Sequence, residues 1–131
     1  MEIIENIVED IMLVRTSDDV IAFRGSLFNA ARQWWKASAQ KVKQADYVMV
    51  DVGGIVREVY KPDKKTWHLE RDPGNDIKHF PDERWVFGRQ NDSDDGEYCK
   101  SFLAPDSIKN KYVGKTLNKY YQCENPVRYS F

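Results

Sequence analysis

The hydrophobic positions of this chain change their spacing along its length, and each spacing predicts a different element. The first of them recur every three or four residues, at Ile3, Ile4, Ile7, Val8 and Ile11. This spacing is typical of one face of a helix and predicts a short helix over residues 2–10. Residues 12–16 then have the composition of a strand. A single strand through the whole stretch is the alternative, because short apolar runs fit both elements.

A second hydrophobic stripe predicts the main helix of the protein, from Ser26 to about Gln44. Ser26 is a natural N-cap, because its hydroxyl can accept a hydrogen bond from an unpaired N–H of the first turn. The side chains expected to face the core are Leu27, Ala31, Trp34, Trp35, Ser38 and Val42. Adjacent helical residues lie about 100° apart, so one of Trp34 and Trp35 can pack in the core while the other borders a groove.

Strand-forming residues dominate most of the remaining chain. Residues 46–52 and 55–60 flank Gly53-Gly54, which is typical of a two-residue hairpin turn that needs positive φ. Further strands are predicted over 66–70, 83–88 and 125–131, with a loop at 71–82 and a turn at 91–96. A short helix is predicted to begin at Pro105-Asp106 and to stop before Gly114.

These elements predict an α+β protein: a small, mostly antiparallel β-barrel or strongly curved sheet, with one main helix and one or two short helices. The 131 residues fit a single domain. A net charge of −1 excludes a bulk basic DNA coat but leaves room for a local basic face. An acidic N-terminus, two cysteines and no long apolar run predict a reduced, cytoplasmic protein outside the membrane.

Several enzymatic motifs are incomplete. Gly114-Lys115-Thr116 resembles the end of a phosphate-binding loop, but Lys109 stands where that loop needs a glycine. Gly54-Ile55-Val56 and Tyr112-Val113-Gly114 lie too far apart to form a GIY-YIG nuclease site. The cysteines and histidines lack zinc-site spacing, and the acidic turn after Asn91 lacks the register of a calcium loop. We therefore expect no cofactor or metal and lean away from an enzyme, although a distant Cys–His pair stays open.

Tryptophans and arginines alternate along the chain, at Arg32, Trp34, Trp35, Arg57, Trp67, Arg84 and Trp85. Aromatic faces beside guanidinium groups are how proteins stack unpaired bases and hold nearby phosphates. The alternative is that the tryptophans fill the core and the arginines form the solvated face of the strands.

The order of several short motifs resembles a family of small uncharacterised bacterial and phage proteins. The resemblance covers roughly residues 13–131. Its motifs are Gly25-Ser26-Leu27-Phe28 followed by Trp34-Trp35, Ala45-Asp46-Tyr47-Val48, Gly54-Ile55-Val56-Arg57 with Val59-Tyr60, Arg84-Trp85-x-Phe87, Tyr112-x-Gly114-Lys115-Thr116 and Asn125-Pro126-Val127-Arg128-Tyr129. More distantly, the arrangement resembles PUA-like domains such as EVE and ASCH, in which a Trp-bearing helix precedes a hairpin on a small barrel.

The PUA-like resemblance implies a non-catalytic module that binds nucleic acid, either RNA or DNA with modified bases. The candidate ligand-binding residues are Arg32, Trp34, Trp35, Arg57, Arg84, Trp85, Lys115 and Arg128, with Lys115 as a basic rim beside Arg128. The alternative is a phage or host accessory protein that binds another protein or a second copy of itself. Its contact surface would then be the stripe of Ile3, Ile4, Ile7, Val8 and Ile11, provided that these side chains do not pack on the barrel.

Overall fold

A strongly curved, mixed sheet of six strands organises the computed structural model, which describes residues 2–74, 79–122 and 125–131. The strand order is β1-β7-β4-β3-β2-β8, and β5 and β6 form a separate two-stranded sheet. The strands are β1 (Ile3–Ile4), β2 (Ile11–Thr16), β3 (Tyr47–Val52), β4 (Ile55–Tyr60), β5 (His68–Glu70), β6 (Arg84–Val86), β7 (Thr116–Leu117) and β8 (Val127–Tyr129). The helices are α1 (Asp18–Arg24), α2 (Leu27–Arg32), α3 (Ala39–Gln44), α4 (Glu97–Lys100) and α5 (Asp106–Tyr112).

The centre of the large sheet is a parallel pair, β2 and β3, joined by a crossover that contains α1, α2 and α3. Such a crossover is necessary because parallel strands cannot be joined by a tight turn. Antiparallel pairing adds β8 on one side and β4 on the other, and β4 pairs antiparallel with β7. The outermost pair, β1 with β7, is parallel. The predicted α+β class with a strongly curved sheet is confirmed.

Alternate residues of the central strands supply two hydrophobic cores, one on each face of the sheet. Met12 and Val14 of β2 belong to the first core, which also contains Phe28 of α2 and Phe87. Leu13, between them, belongs to the second core, on the face covered by the N-terminal segment and α5. This alternation follows from the two-residue period of a strand.

The hairpin was predicted almost residue for residue. β3 and β4 meet at Gly53 and Gly54, whose φ angles of 60° and 86° are both positive. The short helix after Pro105 is also confirmed as α5, and Gly114 beyond it has φ 83°. The strands predicted over 66–70, 83–88 and 125–131 are present as the shorter β5, β6 and β8. The described parts of the 71–82 loop contain no helix or strand, and residues 75–78 lie outside the described residues.

The continuous helix predicted from Ser26 to Gln44 is wrong. α2 ends at Arg32, the Gln33–Trp34 peptide bond is cis, and α3 begins only after Ser38. Between them the backbone of Trp35 pairs with that of Trp85: its N–H lies 3.0 Å from the Trp85 oxygen, and the reverse bond is 2.9 Å. Pairing with a distant segment therefore replaces the local hydrogen bonds that a helix would make across this stretch.

The helix predicted over residues 2–10 is also wrong, and so is the alternative of one strand through the whole stretch. The backbone here pairs with β7, since the Thr116 N–H donates to the Glu2 oxygen over 2.9 Å. Ile4, Ile7 and Ile11 are buried in the second core. Of the five residues of this stripe, only Ile3 and Val8 are exposed. The continuous apolar stripe suggested as a protein-binding surface is thus mostly interior.

No helix in residues 2–74, 79–122 and 125–131 is both long and apolar enough to cross a lipid bilayer.

Candidate functional site

An open pocket of about 700 Å³ lies where the end of α1, the α2–α3 connection, β5 and the segment after β6 meet. Its volume falls within the roughly 300–1,000 Å³ of ordinary small-molecule sites. Its lining combines aromatic, cationic and hydrogen-bonding side chains: Phe23, Arg24, Arg32, Gln33, Trp34, His68, Glu70, Pro73, Gly88, Arg89 and Gln90. We refer to this site as the aromatic pocket.

Trp34 is the aromatic wall of the pocket, and three neighbours hold it. Its ring packs against Phe80 with 5.7 Å between centroids, and its indole N–H donates to Glu70 Oε1 over 3.4 Å. The guanidinium carbon of Arg24 lies 5.0 Å from the ring centroid, which is cation–π distance. Arg24 is itself fixed by a 2.6 Å hydrogen bond to the Gln33 oxygen. Trp34 is therefore a positioned, half-buried aromatic surface.

Phe23 adds a second aromatic side chain to the pocket. It stands in the last turn of α1 and is 54% exposed, although large aromatic residues are usually buried. Its neighbour in sequence, Arg24, faces the same pocket. An exposed phenyl ring at the mouth of a pocket is available for contact with a ligand.

Arg32 places a buried positive charge in the wall of the pocket. Its Nε and Nη2 each donate over 3.0 Å to the carbonyl oxygens of Phe87 and Gly88, and Nη1 donates over 2.5 Å to Gln33 Oε1. All three acceptors are neutral, and among the residues described no carboxylate comes within ion-pair distance of this guanidinium. Burial lowers the pKa of Arg32, and the charge of Glu70 opposes that change. A buried cation without a contacting anion favours an anionic or electron-rich ligand.

Glu70 and His68 of β5 add a carboxylate and an imidazole to the lining of the aromatic pocket. His68 Nε2 lies 2.7 Å from Glu70 Oε2, and its Nδ1 lies 2.7 Å from the Thr66 oxygen. Glu70 thus joins the imidazole to the indole of Trp34 through its two carboxylate oxygens. With the amides of Gln33 and Gln90, the pocket offers both hydrogen-bond acceptors and donors around an aromatic wall.

The two adjacent tryptophans differ as predicted, but for another reason than helical geometry. Trp35 is buried, its N–H donates to the Ala31 oxygen over 2.8 Å, and it belongs to the first core. Trp34 turns into the aromatic pocket because the chain is extended here and successive side chains point in opposite directions. Trp67 and Trp85 pack against the first core, so the core interpretation holds for them.

Arg84 lies near Trp34 but outside the aromatic pocket. Its guanidinium is stacked on Phe80, 4.4 Å from the ring centroid, and its Nε lies 3.2 Å from Asp82 Oδ1. With Trp34 it lines a smaller neighbouring cavity. Of the eight candidate residues, the structure therefore gathers Arg32, Trp34 and Arg84 around one region and places Trp35 and Trp85 behind it.

Three candidates are not brought to this region. Arg57 of the hairpin pairs with Asp18 of α1 at 3.0 Å, and Lys115 pairs with Glu2 at 3.1 Å. Arg128 is buried and donates to Asp51 Oδ1 over 2.7 Å and to the Tyr121 oxygen over 2.8 Å. Its guanidinium thus takes part in an interior ion pair. The sequence signal of basic residues does not distinguish these three from Arg32.

Sequence reasoning missed Phe23, Arg24, Gln33, His68 and Glu70. Arg24 stands directly before the Gly25-Ser26 motif, but nothing in its spacing pointed to Trp34. Glu70 and Trp34 come from distant elements, and only the fold brings them together.

Cys99 bears on the Cys–His pair left open by the sequence. It is buried, and burial, with the charge of Asp94, raises the pKa of its thiol to about 11. The thiol is therefore protonated at neutral pH, which does not suit a nucleophile. Cys123 lies outside the described residues.

Comparison of the chain with protein-family models, with curated proteins and with solved structures gives no match.

Proposed function

We propose that the protein is a non-catalytic nucleic-acid-binding module that takes an unstacked base into the aromatic pocket. The observation that carries this proposal is the meeting of a half-buried indole, Trp34, with the guanidinium groups of Arg24 and Arg32 in one pocket. Stacking on an aromatic ring next to cationic groups is the common mode for binding single-stranded nucleic acid.

The polar lining suits the edge of a nucleobase. Glu70 can accept hydrogen bonds from amino or imino groups of a base, and the Gln33 and Gln90 amides can both donate and accept. A volume of about 700 Å³ also leaves room for a base that carries a modification. These features support recognition of RNA or of modified DNA bases that have left the helical stack.

The overall charge does not oppose this function. Although the net charge is −1, the described residues that line the aromatic pocket include three arginines, Arg24, Arg32 and Arg89, against a single carboxylate, Glu70. A local excess of positive charge concentrates a polyanion at the site even when the whole protein is neutral.

The proposal is tested by fluorescence anisotropy with labelled short oligonucleotides: single-stranded RNA, single-stranded DNA, DNA with modified bases, and a duplex. We expect Trp34→Ala to weaken binding of single strands by roughly 5- to 100-fold, the usual effect of losing one stacked base. Trp34→Phe should retain most of the affinity, because the aromatic face remains.

Arg24→Ala and Arg57→Ala form a matched pair for the charge contribution. Both remove one guanidinium, but only Arg24 lines the aromatic pocket. We expect Arg24→Ala to reduce both the affinity and its salt dependence, and Arg57→Ala to change neither. Equal effects of the two variants, or wild-type affinity in Trp34→Ala, would contradict the proposal.

A further inference from the structure

A second, smaller cavity of about 80 Å³ is also lined by Trp34. It shares two lining residues, Trp34 and Arg24, with the aromatic pocket, so the two spaces adjoin. The end of β2, α1, β6 and residues 125–127 form the remaining walls. We refer to it as the small cavity.

Positive charge dominates the small cavity. Four basic side chains line it, Arg15, Arg24, Lys36 and Arg84, and no carboxylate is among the described residues of its lining. Two carboxylates outside this lining pair with its cations: Asp51 Oδ2 lies 3.8 Å from Arg15 Nε, and Asp82 Oδ1 lies 3.2 Å from Arg84 Nε. Burial acts to raise the pKa of Asp82, but Arg84 and the charge of Lys36 outweigh it and lower that pKa.

Thr16 provides an independent sign of a missing partner. Its side chain is buried, with 7% of the residue exposed, and it lines the small cavity. Within the described parts of the chain, its Oγ1 has no hydrogen-bond partner. Buried hydroxyl groups are nearly always satisfied, so this one requires an explanation. An oxyanion in the cavity would accept its proton.

We propose that the small cavity binds the phosphate group of the nucleotide whose base stacks on Trp34. This inference rests on the proposed base-binding function and specifies its ligand as a nucleotide within a strand or with a terminal phosphate. The volume corresponds to that of two or three water molecules, at about 30 Å³ each, which suits one tetrahedral oxyanion.

Arg24 connects the two halves of this ligand. Its guanidinium lies over the Trp34 ring and lines both spaces, so it can contact the base stack and the phosphate together. Arginine suits this role, because its planar guanidinium stacks on aromatic faces and hydrogen-bonds phosphate.

The test compares binding of common nucleosides, their 5′- and 3′-monophosphates and inorganic phosphate to the intact protein by isothermal titration calorimetry. We expect one series of monophosphates to bind at least about tenfold more tightly than the nucleosides, as for hydrogen bonds to a charged group. Monophosphates that bind no better than nucleosides would overturn the inference while leaving the base pocket in place.

Thr16→Val keeps the shape of the side chain and removes its hydroxyl, and Thr16→Ser is the matched control that keeps it. We expect Thr16→Val to weaken the binding of monophosphates and of inorganic phosphate by about tenfold without changing the affinity for nucleosides. Thr16→Ser should bind all of these ligands like the wild type. Without phosphate, Thr16→Val should also melt at a higher temperature than Thr16→Ser, because no buried hydroxyl is left unsatisfied. Wild-type phosphate affinity in Thr16→Val would overturn the inference.

The two proposals fail in different ways. Phe23→Ala, at an aromatic-pocket position that does not line the small cavity, should weaken nucleoside binding and leave the affinity for inorganic phosphate unchanged. If monophosphates bind only as tightly as inorganic phosphate and Trp34→Ala leaves them unchanged, the base pocket is refuted and the small cavity stands as a site for free phosphate.

Discussion

Two buried arginines, Arg32 and Arg128, are surrounded by different partners: the acceptors around Arg32 are neutral, whereas Arg128 pairs with a carboxylate. Arg128 reaches Asp51, a carboxylate with no exposed surface, over 2.7 Å. Asp51 also accepts the Gly54 N–H at the hairpin turn over 3.1 Å. Among the described residues, Arg32, in contrast, donates only to neutral oxygens in the wall of the aromatic pocket. The charge of Arg128 thus belongs to an interior ion pair of the fold, whereas the proposed function assigns the charge of Arg32 to binding.

Arg128→Met should therefore destabilise the protein by about 3–5 kcal/mol, because it leaves Asp51 charged and buried with only the more distant Arg15. Urea denaturation measures this change. The double variant Asp51→Asn with Arg128→Met should recover much of the loss, because the asparagine side chain is uncharged and its amide oxygen can still accept the Gly54 N–H. A double variant as unstable as the sum of its single variants would contradict the assigned pair.

Glu9 makes the stability depend on pH. Its carboxylate accepts hydrogen bonds from Lys111, over 2.5 Å, and from the Tyr112 hydroxyl. Burial acts to raise the pKa of Glu9, but these hydrogen bonds outweigh it and lower the pKa below its ordinary value of 4.5. Folding thus favours the ionised form. The resulting stabilisation is complete above the ordinary pKa and disappears as the pH falls through the lowered one.

We expect the free energy of unfolding of the wild type to fall more steeply below about pH 5 than that of Glu9→Gln. Denaturation curves across the acid range measure the two slopes. Glu5→Gln, at an exposed position in the same segment, is the control and should follow the wild type. Parallel curves for wild type and Glu9→Gln would refute the assignment.

At the scale of elements, three short helices of the crossover each begin with a capping serine. The hydroxyls of Ser17, Ser26 and Ser38 accept the N–H groups of Val20, Asn29 and Lys41 over 3.3, 3.0 and 3.2 Å. Helices of six or seven residues are marginal by themselves, so caps and packing must stabilise them. The break of the predicted long helix is thus matched by a second cap at Ser38.

Ser38→Ala should cost about 1 kcal/mol of stability, the usual effect of losing an N-cap. Ser26→Ala should cost more, because the Ser26 hydroxyl also donates to the Asn91 oxygen over 2.7 Å and joins α2 to the loop after β6. Thermal or urea denaturation measures both. Ser107→Ala, at an exposed position inside α5, is the matched control with an expected change near zero. A Ser38→Ala variant as stable as this control would contradict the cap.

At the scale of the whole molecule, the shared central strands join the two cores into one unit. Phe28 and the core tryptophans Trp35, Trp67 and Trp85 lie on the first face of the sheet, and Leu13 lies on the second. Because β2 contributes alternate side chains to both faces, neither core can form without this strand. We therefore expect both faces to unfold together.

Leu13→Ala should destabilise the protein by about 2–5 kcal/mol through a cavity in the second core. It should shift the denaturation transition seen by tryptophan fluorescence, although Trp35 belongs to the first core and Trp67 and Trp85 pack against that core. Phe28→Ala, on the first face, should shift the same transition. A fluorescence transition that stays at its wild-type midpoint in Leu13→Ala, while circular dichroism shifts, would show that the faces unfold separately.

The elements decided by local physics were predictable from sequence. The hairpin of β3 and β4 follows from β-branched strands around two glycines with positive φ, and α5 follows from Pro105 at its start. The class of the fold followed from these elements, because a half-apolar strand must bury one face. The difference between Trp34 and Trp35 was also visible, although the predicted helix was not its cause.

Only the tertiary structure shows where a local preference for helix is overridden by backbone pairing with a distant segment. The isoleucine spacing of residues 2–10 and the stripe after Ser26 both fit helices, yet their backbones bond to Thr116 and Trp85 instead. The aromatic pocket depends on the second of these bonds, since pairing of Trp35 with Trp85 turns Trp34 toward Glu70 and Arg24. The spacing of residues in a sequence reflects interactions between neighbours along the chain. The aromatic pocket, in contrast, is built from contacts between residues that are far apart in the sequence.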